Sequence, residues 1–554
     1  MKNFKFILIT FFISFTNLLI SQNFQWQGLQ KPIDGILYTY CNTDALNNTF
    51  VLGSMSGSNI VVGTSTYNPI NPDGIIIKYD ANGAVVWSSA IAGIGVERCS
   101  GISFDANGNF YIVGTTNSSL ITVGSSTFSN IGGFTNPDYS TFITKFDSNF
   151  NLVYFKIVSH ADNMYTFGIK LSLGLNSILI SNVIPYSSHI VFGSNTYTAQ
   201  NDNSYIASFD LNANLNWINF YASPGYIGIS DVIVQKNDDI YFAGSTSSQS
   251  FVIGGYTLSG ISFSVYAGFV GKMSPSGNIK WLKTFPNTNV ANLKLTSINT
   301  NSIYLGIAFT SSALAIASNT YSSQNSDCLL AQMDSLGNYQ WSKLISGNQA
   351  DNIGSLSVNQ NNYLYVVGTS SSSVFSTTNY SAANTNTVSN LFFAAFDTQG
   401  KDWGLLMSSR PNANAANGLS PYAIAMDANN NAYIVGYNSY SDLVCGTYTI
   451  TNTSQNSTFM AKIKLLNGVG INEYHSFADD IQLYPNPTNN LLYFGSNQVK
   501  TADIRLSNSL GQTLYVKQHA DLSEPLDLSA LNAGIYFVRV ETILGQKTLK
   551  VLKE

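Results

Sequence analysis

Apolar and aromatic residues along this chain come in short runs that end in Asp, Asn or Gly. Ile77-Lys78-Tyr79 runs into Asp80-Ala81-Asn82-Gly83, and Ala331-Gln332-Met333 into Asp334-Ser335-Leu336-Gly337. Asp bonds its own backbone and Gly or Asn accepts a positive φ, so such boundaries predict strands closed by tight turns. Matching strands end at Phe146-Asp147, Phe209-Asp210, Met273-Ser274 and Phe396-Asp397, with a seventh at Ala461 to Lys464. A second hairpin recurs, clearest in Gly101 to Asn109 leading into Phe110-Tyr111-Ile112-Val113-Gly114. Its outgoing strand returns at Phe50, Ile178, Tyr241, Tyr304, Tyr365 and Tyr433, again seven times.

The tryptophans set the period. All six follow a turn on a strand-like segment: Trp26, Trp87, Trp217, Trp281, Trp341 and Trp403. Tyr154 fills the single long gap, and the successive spacings become 61, 67, 63, 64, 60 and 62 residues. Each period then holds four strands, and a four-stranded sheet repeated radially is the blade of a β-propeller. The last third-strand has no tryptophan strand after it, whereas Asn23 to Trp26 has nothing before it. The expected fold is therefore all-β: a seven-bladed propeller over residues 22–468, closed by its N-terminal strand so that no ring seam is left open.

The long period implies an extra segment between second and third strands, with copies at Ile60 to Tyr67, Ile121 to Phe128, Ile190 to Tyr197, Phe251 to Leu258, Leu314 to Tyr321 and Leu443 to Ile450. Seven such insertions are expected to crowd one rim, on the face that carries the connections between blades, and to make it the binding face.

Charged residues are only 10% of the 554, with 25 basic against 30 acidic, which argues against a charge-rich disordered chain and a basic nucleic-acid binder. Met1 to Lys5 carries two lysines and Phe6 to Ile20 is largely apolar before Ser21, which reads as a signal peptide over residues 1–21. That run is too short and too interrupted for a spanning helix. Cys41, Cys99, Cys328 and Cys445 show no paired spacing, and neither do His160, His189, His475 and His519, so no metal site is expected.

The strand-turn form Lys78 to Trp87 and the strand Gly108-Asn109 to Val113-Gly114-Thr115 resemble the repeat-type β-propellers of secreted bacterial proteins, a resemblance over about residues 22 to 466 that is specific for fold and poor for function. The Asp-to-Trp strand is also similar to propellers that bind pyrroloquinoline quinone. The turn here is shorter and no adjacent cysteine pair occurs, so no cofactor is expected.

Charge density more than doubles towards the C-terminus, from 16 basic and 22 acidic side chains in 22–476 to 7 and 8 in 477–554. Residues 469–554 alternate short strands and turns and read as a small Ig-like β-sandwich. Pro485-Asn486-Pro487, the turn at Gly511, the strand Gly534-Ile535-Tyr536 and the basic strand Lys547 to Lys553 closely resemble the type A C-terminal sorting domain of type IX secretion cargo in Bacteroidota. That resemblance implies passage through the outer-membrane translocon, cleavage of the domain, and release or attachment to surface lipopolysaccharide.

Candidate chemistry is sparse. Asp80, Asp105, Asp147, Asp210, Asp334, Asp397 and Asp427 recur in turns, which hairpin formation explains. Glu97, Arg98, Asp162, Asp231, Asp351 and Arg410 are non-repeated charges in or near the blade connections, and catalysis needs such asymmetry. The aromatics Tyr67, Phe128, Tyr197, Tyr321, Tyr380 and Tyr448 of the inserts are expected to plug blade interfaces, with a sugar-stacking rim as the other option. The expected function is a secreted or cell-surface binding, adhesive or structural module with a glycan or protein ligand. The alternative is a glycan-active hydrolase or lyase with a non-repeated acidic pair.

Overall fold

The computed structural model describes residues 24–130, 139–162, 169–235, 237–248, 250–259, 266–285, 288–297, 301–384, 388–414, 418–439, 441–451, 457–465, 482–495, 500–509, 512–542 and 545–554. The expected signal peptide over 1–21 lies outside them, as does Gly511. The described residues contain strands, turns and bends and no helix. The chain divides into two units, Met1–Leu466 and Asn467–Glu554.

Among the described residues, the first unit holds seven antiparallel sheets of at least four strands, four of them four-stranded and three extended to six by an insert hairpin, besides three separate two-stranded hairpins. In the first of them, Ile36–Thr43, Thr49–Met55, Asp73–Tyr79 and Val85–Gly93 pair in chain order. Five further sheets repeat that order, with their first strands at Glu97–Phe104, Lys170–Leu173, Ile227–Val234, Val290–Thr296 and Asp351–Val358. In the last, Leu419–Met426, Asn431–Asn438 and Thr458–Leu465 take their fourth strand from the start of the chain, because Phe24–Gln30 pairs antiparallel with Thr458–Leu465.

The middle strands explain the core. Thr49–Met55 and Asp73–Tyr79 are almost wholly buried, as are Phe110–Thr116 and Asn203–Asp210. Strands covered on both faces read as continuous apolar runs, which is the pattern seen in Ile75-Ile76-Ile77. Outer strands such as Val85–Gly93 bury far less. The first strands pack in sequence: Ile36–Thr43 beside Glu97–Phe104, and so on through the seven, with Leu419–Met426 packing against both Asp351–Val358 and Ile36–Thr43. In six of them a bulge breaks the register, for example between Tyr38 and Tyr40, Cys99 and Gly101, and Pro421 and Ala423. A bulge bends the strand and re-aims a side chain.

Three inserts, Ile60–Val62 with Ser65–Tyr67, Ser250–Ile253 with Tyr256–Ser259 and Leu443–Cys445 with Tyr448–Ile450, form two-stranded sheets of their own, while others extend a sheet. The hairpin Leu120–Val123 and Ser126–Ser129 continues the preceding sheet, pairing Ile121 with Gly93 and Val123 with Ile91. His189–Phe192 attaches in the same way to Leu152–Ala161, and Val374–Ser376 to Tyr339–Gly347. A sixth-period hairpin, Val374–Ser376 with Ser381–Ala383, is faint in the sequence because it holds few β-branched or aromatic residues.

The second unit carries a three-stranded and a four-stranded sheet among its described residues. The four-stranded sheet orders Thr513–Asp521, Thr501–Asn508, Gly534–Thr542 and Gly545–Lys553. Leu492, Ile504, Leu506, Leu528, Val538 and Val551 belong to the core of this unit.

Candidate functional site

The repeated acids are turn-formers. Asp80 Oδ1 accepts from the backbone N–H of Asn82 and Ala84, both at 2.9 Å, while Gly83 N–H donates to Asp80 O. Asp105, Asp147, Asp210, Asp334 and Asp427 make the same bonds, and in each the second oxygen accepts an Asn side-chain amide. An oxygen so occupied is spent on the hairpin.

The outer-strand aromatics reach the turn of the next sheet. Trp217 Nε1 donates to Pro275 O at 2.8 Å, Trp281 Nε1 to Ser335 O at 3.3 Å and Trp341 Nε1 to Thr398 O at 3.1 Å. Tyr154 donates its hydroxyl to Leu211 O at 3.1 Å, the corresponding place. Trp87 stacks on Phe150 at 5.1 Å, Trp403 tilts on Tyr363 at 4.4 Å, and Trp26 is buried against the last sheet. Insert aromatics pack inward as well: Phe128 on Phe155, Tyr197 on Phe220, and Tyr67 and Tyr321 by hydroxyl contacts to Ser88 and Ser342.

The six suspected catalytic residues are not brought together. Asp162 is a surface partner of His189 at 2.9 Å. Arg410 is fully buried, donating to Ser441 Oγ and to the carbonyls of Ser389 and Gly418, and burial lowers its pKa to about 10. Glu97 and Asp351, both 0% exposed, prove to be copies of one device four sheets apart, a correction to their reading as non-repeated. Each opens a first strand, accepts a hydroxyl from its own sheet or just beyond it (Thr116 to Glu97 at 2.7 Å, Ser372 to Asp351 at 3.0 Å) and faces an acid on the preceding sheet's third strand, Asp73 for Glu97 and Asp327 for Asp351. The partners in turn accept from Gly93 N–H and Gly347 N–H. Local sequence hides this, since one copy is Glu and the other Asp.

Burial, first, and the facing carboxyl push Glu97 up to about 7 from 4.5, and Asp351 up to about 7 from 3.8. Two carboxyls in a dry contact share a proton rather than both ionise. The folded chain thus binds more protons than the unfolded chain between about pH 4 and 7, so their contribution to stability is full below that window and lost as pH rises through it. The thermal midpoint is expected to be higher at pH 5 than at pH 8, and the double variant Glu97→Gln, Asp351→Asn should flatten the profile over that range. An unaltered profile in calorimetry would assign the dependence to other groups.

The residues that could hold a ligand lie between the first strands, and Arg98 and Asp231 of the six suspected residues are among them. A cavity of about 740 Å³ there is lined by Tyr40, Arg98, Lys170, Lys294, Asn352 and Tyr422 among others. A second of about 330 Å³ shares Tyr40, Lys170 and Lys294 with it and adds Asp231. Asp231 is held by backbone, its Oδ1 accepting from Val232 N–H and its Oδ2 from Leu295 N–H at 3.0 Å. Burial, reinforced by the charge of Lys170 and opposed by that of Asp231, brings Lys294 down to about 8. Sequence reading missed Lys170 and Lys294. The available signal was a charged residue on each of three successive first strands, Lys170, Asp231 and Lys294.

In the second unit, Asn486 clamps the last strand: its side-chain amide donates to Lys550 O at 2.7 Å and its Oδ1 accepts from Leu552 N–H at 2.9 Å. Pro485 and Pro487 flank it, each after a cis peptide bond. Gly534 opens its strand and Tyr536 donates its hydroxyl to Asn532 O at 2.8 Å.

No curated protein matches the sequence. Among solved structures, Raptor of Chaetomium thermophilum is similar at 9% identity and a TM-score of 0.36, over 80% of this chain and 30% of its own, so this chain spans under a third of that protein. PorZ of Porphyromonas gingivalis, described as an essential bacterial surface component of the type-IX secretion system, aligns at 9% identity and a TM-score of 0.16, over 95% of this chain and 100% of its own. The parainfluenza virus 5 hemagglutinin-neuraminidase ectodomain aligns at 8% identity and a TM-score of 0.31, over 80% of this chain and 87% of its own. Likenesses this distant say nothing of activity. The family match is specific and local: residues 482–554 fit the secretion system C-terminal sorting domain, which supports a protein sorted by the type IX secretion system, secreted or at the cell surface.

Proposed function

We propose that the chain is a seven-bladed β-propeller acting as a binding or adhesive module outside the cell, with residues 469–554 as its sorting tail. The ring reading is supported by the seven sheets and by the packing of the last first-strand against the first. Between the first and last sheets, Tyr38 N–H donates to Thr458 Oγ1 at 2.9 Å, Thr43 Oγ1 to Met426 O at 2.6 Å, and Lys462 Nζ to Ala81 O at 3.1 Å. One core cluster joins Ile36, Tyr38 and Cys41 to Ala423, Val435 and Met460. The last of those three bonds repeats, across the chain ends, the reach of third-strand Lys272 to Ser335 O at 3.4 Å between consecutive sheets.

Binding is favoured by one observation above the rest, a cavity between the first strands whose lining mixes tyrosine rings with three cations. Its volume lies within the roughly 300–1,000 Å³ usual for ligand sites. Hydrolysis draws less support, because the close carboxyl pairs of Glu97 and Asp351 are enclosed and carry structural bonds. Incubating the purified chain with a panel of polysaccharides is expected to give saturable binding without product. Product formation abolished by a single carboxylate substitution would overturn this reading in favour of a glycan-active enzyme.

A further inference from the structure

The larger cavity has a chemical bias that narrows its ligand. Its described lining includes Arg98, Lys170 and Lys294 and no carboxylate, in a chain whose formal net charge is −5. A recess lined by one sign of charge with low-dielectric walls focuses its field and concentrates counter-ions. Lys170 and Lys294 stand near enough that the first lowers the proton affinity of the second, a repulsion added to the cost of burial. Asp231, on the first strand that packs between theirs, already spends both oxygens on backbone N–H groups. An anion seated between the two lysines would relieve that repulsion.

The rest of the wall points to a hydroxylated ligand rather than a bare ion. Ser100, Asn352 and Ser420 supply hydroxyl and amide groups, and Tyr422, 43% exposed, offers a ring with an apolar face and a polar tip. We propose that this cavity binds an acidic saccharide, its carboxylate held between Lys170 and Lys294 and its sugar ring lying against Tyr422. The assignment rests on the reading of the chain as a binding module and adds the class of ligand.

Calorimetric titration of the full chain tests it, with digalacturonate and sialyllactose as acidic probes, digalactose and lactose as their neutral counterparts, and inorganic sulfate. At least one acidic probe should bind saturably, at least tenfold tighter than its neutral counterpart and tighter than sulfate, and more weakly as salt rises. Lys294→Gln and Lys170→Gln should each weaken that binding at least tenfold, and Lys294→Arg should retain most of it. Circular dichroism and the thermal midpoint identify any variant that has lost its fold, in which case the arginine variant and the wild-type comparison of probes decide between the outcomes. Equal affinity for acidic and neutral probes, binding indifferent to all three variants, sulfate binding as tightly, or no acidic probe binding would each overturn the proposal. Neutral saccharides binding in a way lost in Tyr422→Ala would sink the acidic ligand and leave the binding module standing. Absence of binding across the polysaccharide panel would overturn the acidic saccharide together with saccharide binding of any kind by the module.

Discussion

Deletion of residues 24–30 will destabilise the first unit by at least roughly 3 to 5 kcal/mol, the cost of truncating one large core aromatic. The segment supplies the fourth strand of the last sheet, running from Phe24 opposite Leu465 to Gln30 opposite Met460. Its removal takes two rings from the core. Phe24, 2% exposed, meets Phe393 edge-on at 5.1 Å, and Trp26, 7% exposed, packs over Gly446. It also leaves Thr458–Leu465 as an unpaired edge, which invites association with other chains. Scanning calorimetry should show a lowered midpoint, and light scattering an earlier onset of aggregation. Trp26→Phe, which keeps the strand and most of the ring, should lose far less. A midpoint unchanged by the deletion would reject the role of this strand.

Truncation of residues 545–554 will abolish delivery to the surface while leaving the first unit folded. Those residues form a strand paired along its length with Gly534–Thr542, from Gly545 opposite Thr542 to Lys553 opposite Gly534. Val551 is fully buried in the small core, and the Asn486 side chain, Thr488 N–H and Glu554 N–H all bond at this strand or beside it. Losing one strand of so small a sandwich removes a large share of its pairing. The first unit draws its own last strand from residue 24 onward and needs nothing from the tail for its sheets. Fractionation of the native host should find the truncated chain folded in the periplasm and its surface level at background. Normal surface levels would refute the sorting role of this strand, and a degraded first unit would refute its independence.

What the sequence displayed and what it concealed follow from the range of the interactions. Trp87, Tyr154, Trp217, Trp281, Trp341 and Trp403 stand out because a strand and its turn are local, and the turn acids around Asp80 or Asp334 make bonds spanning four residues. The last third-strand, lacking a partner, points to Trp26, so a pairing over more than 430 residues is legible from a missing piece. Attachment of Ile121 to Val85–Gly93, the outer strand of the preceding sheet, is not legible, because register between sheets leaves no local pattern. Glu97 and Asp351 look singular in the sequence for a related reason: the partners that make them alike, Asp73 and Asp327, sit on other strands. The cavity lysines escape notice because the first strands carry the weakest signal. Their cavity-lining positions vary from Tyr40 to Ser100 to Lys294, so no repeat marks them.

The joining of the chain's N-terminal strand to its seventh sheet underlies the propeller reading, and hydrogen exchange along Phe24–Gln30 tests it most directly. Amides of that strand should be protected to the same degree as those of the corresponding outer strands Val85–Gly93 and Leu215–Tyr221, both in the full chain and after the tail is removed. Exchange at the rate of an unpaired peptide, with the other outer strands protected, would contradict it.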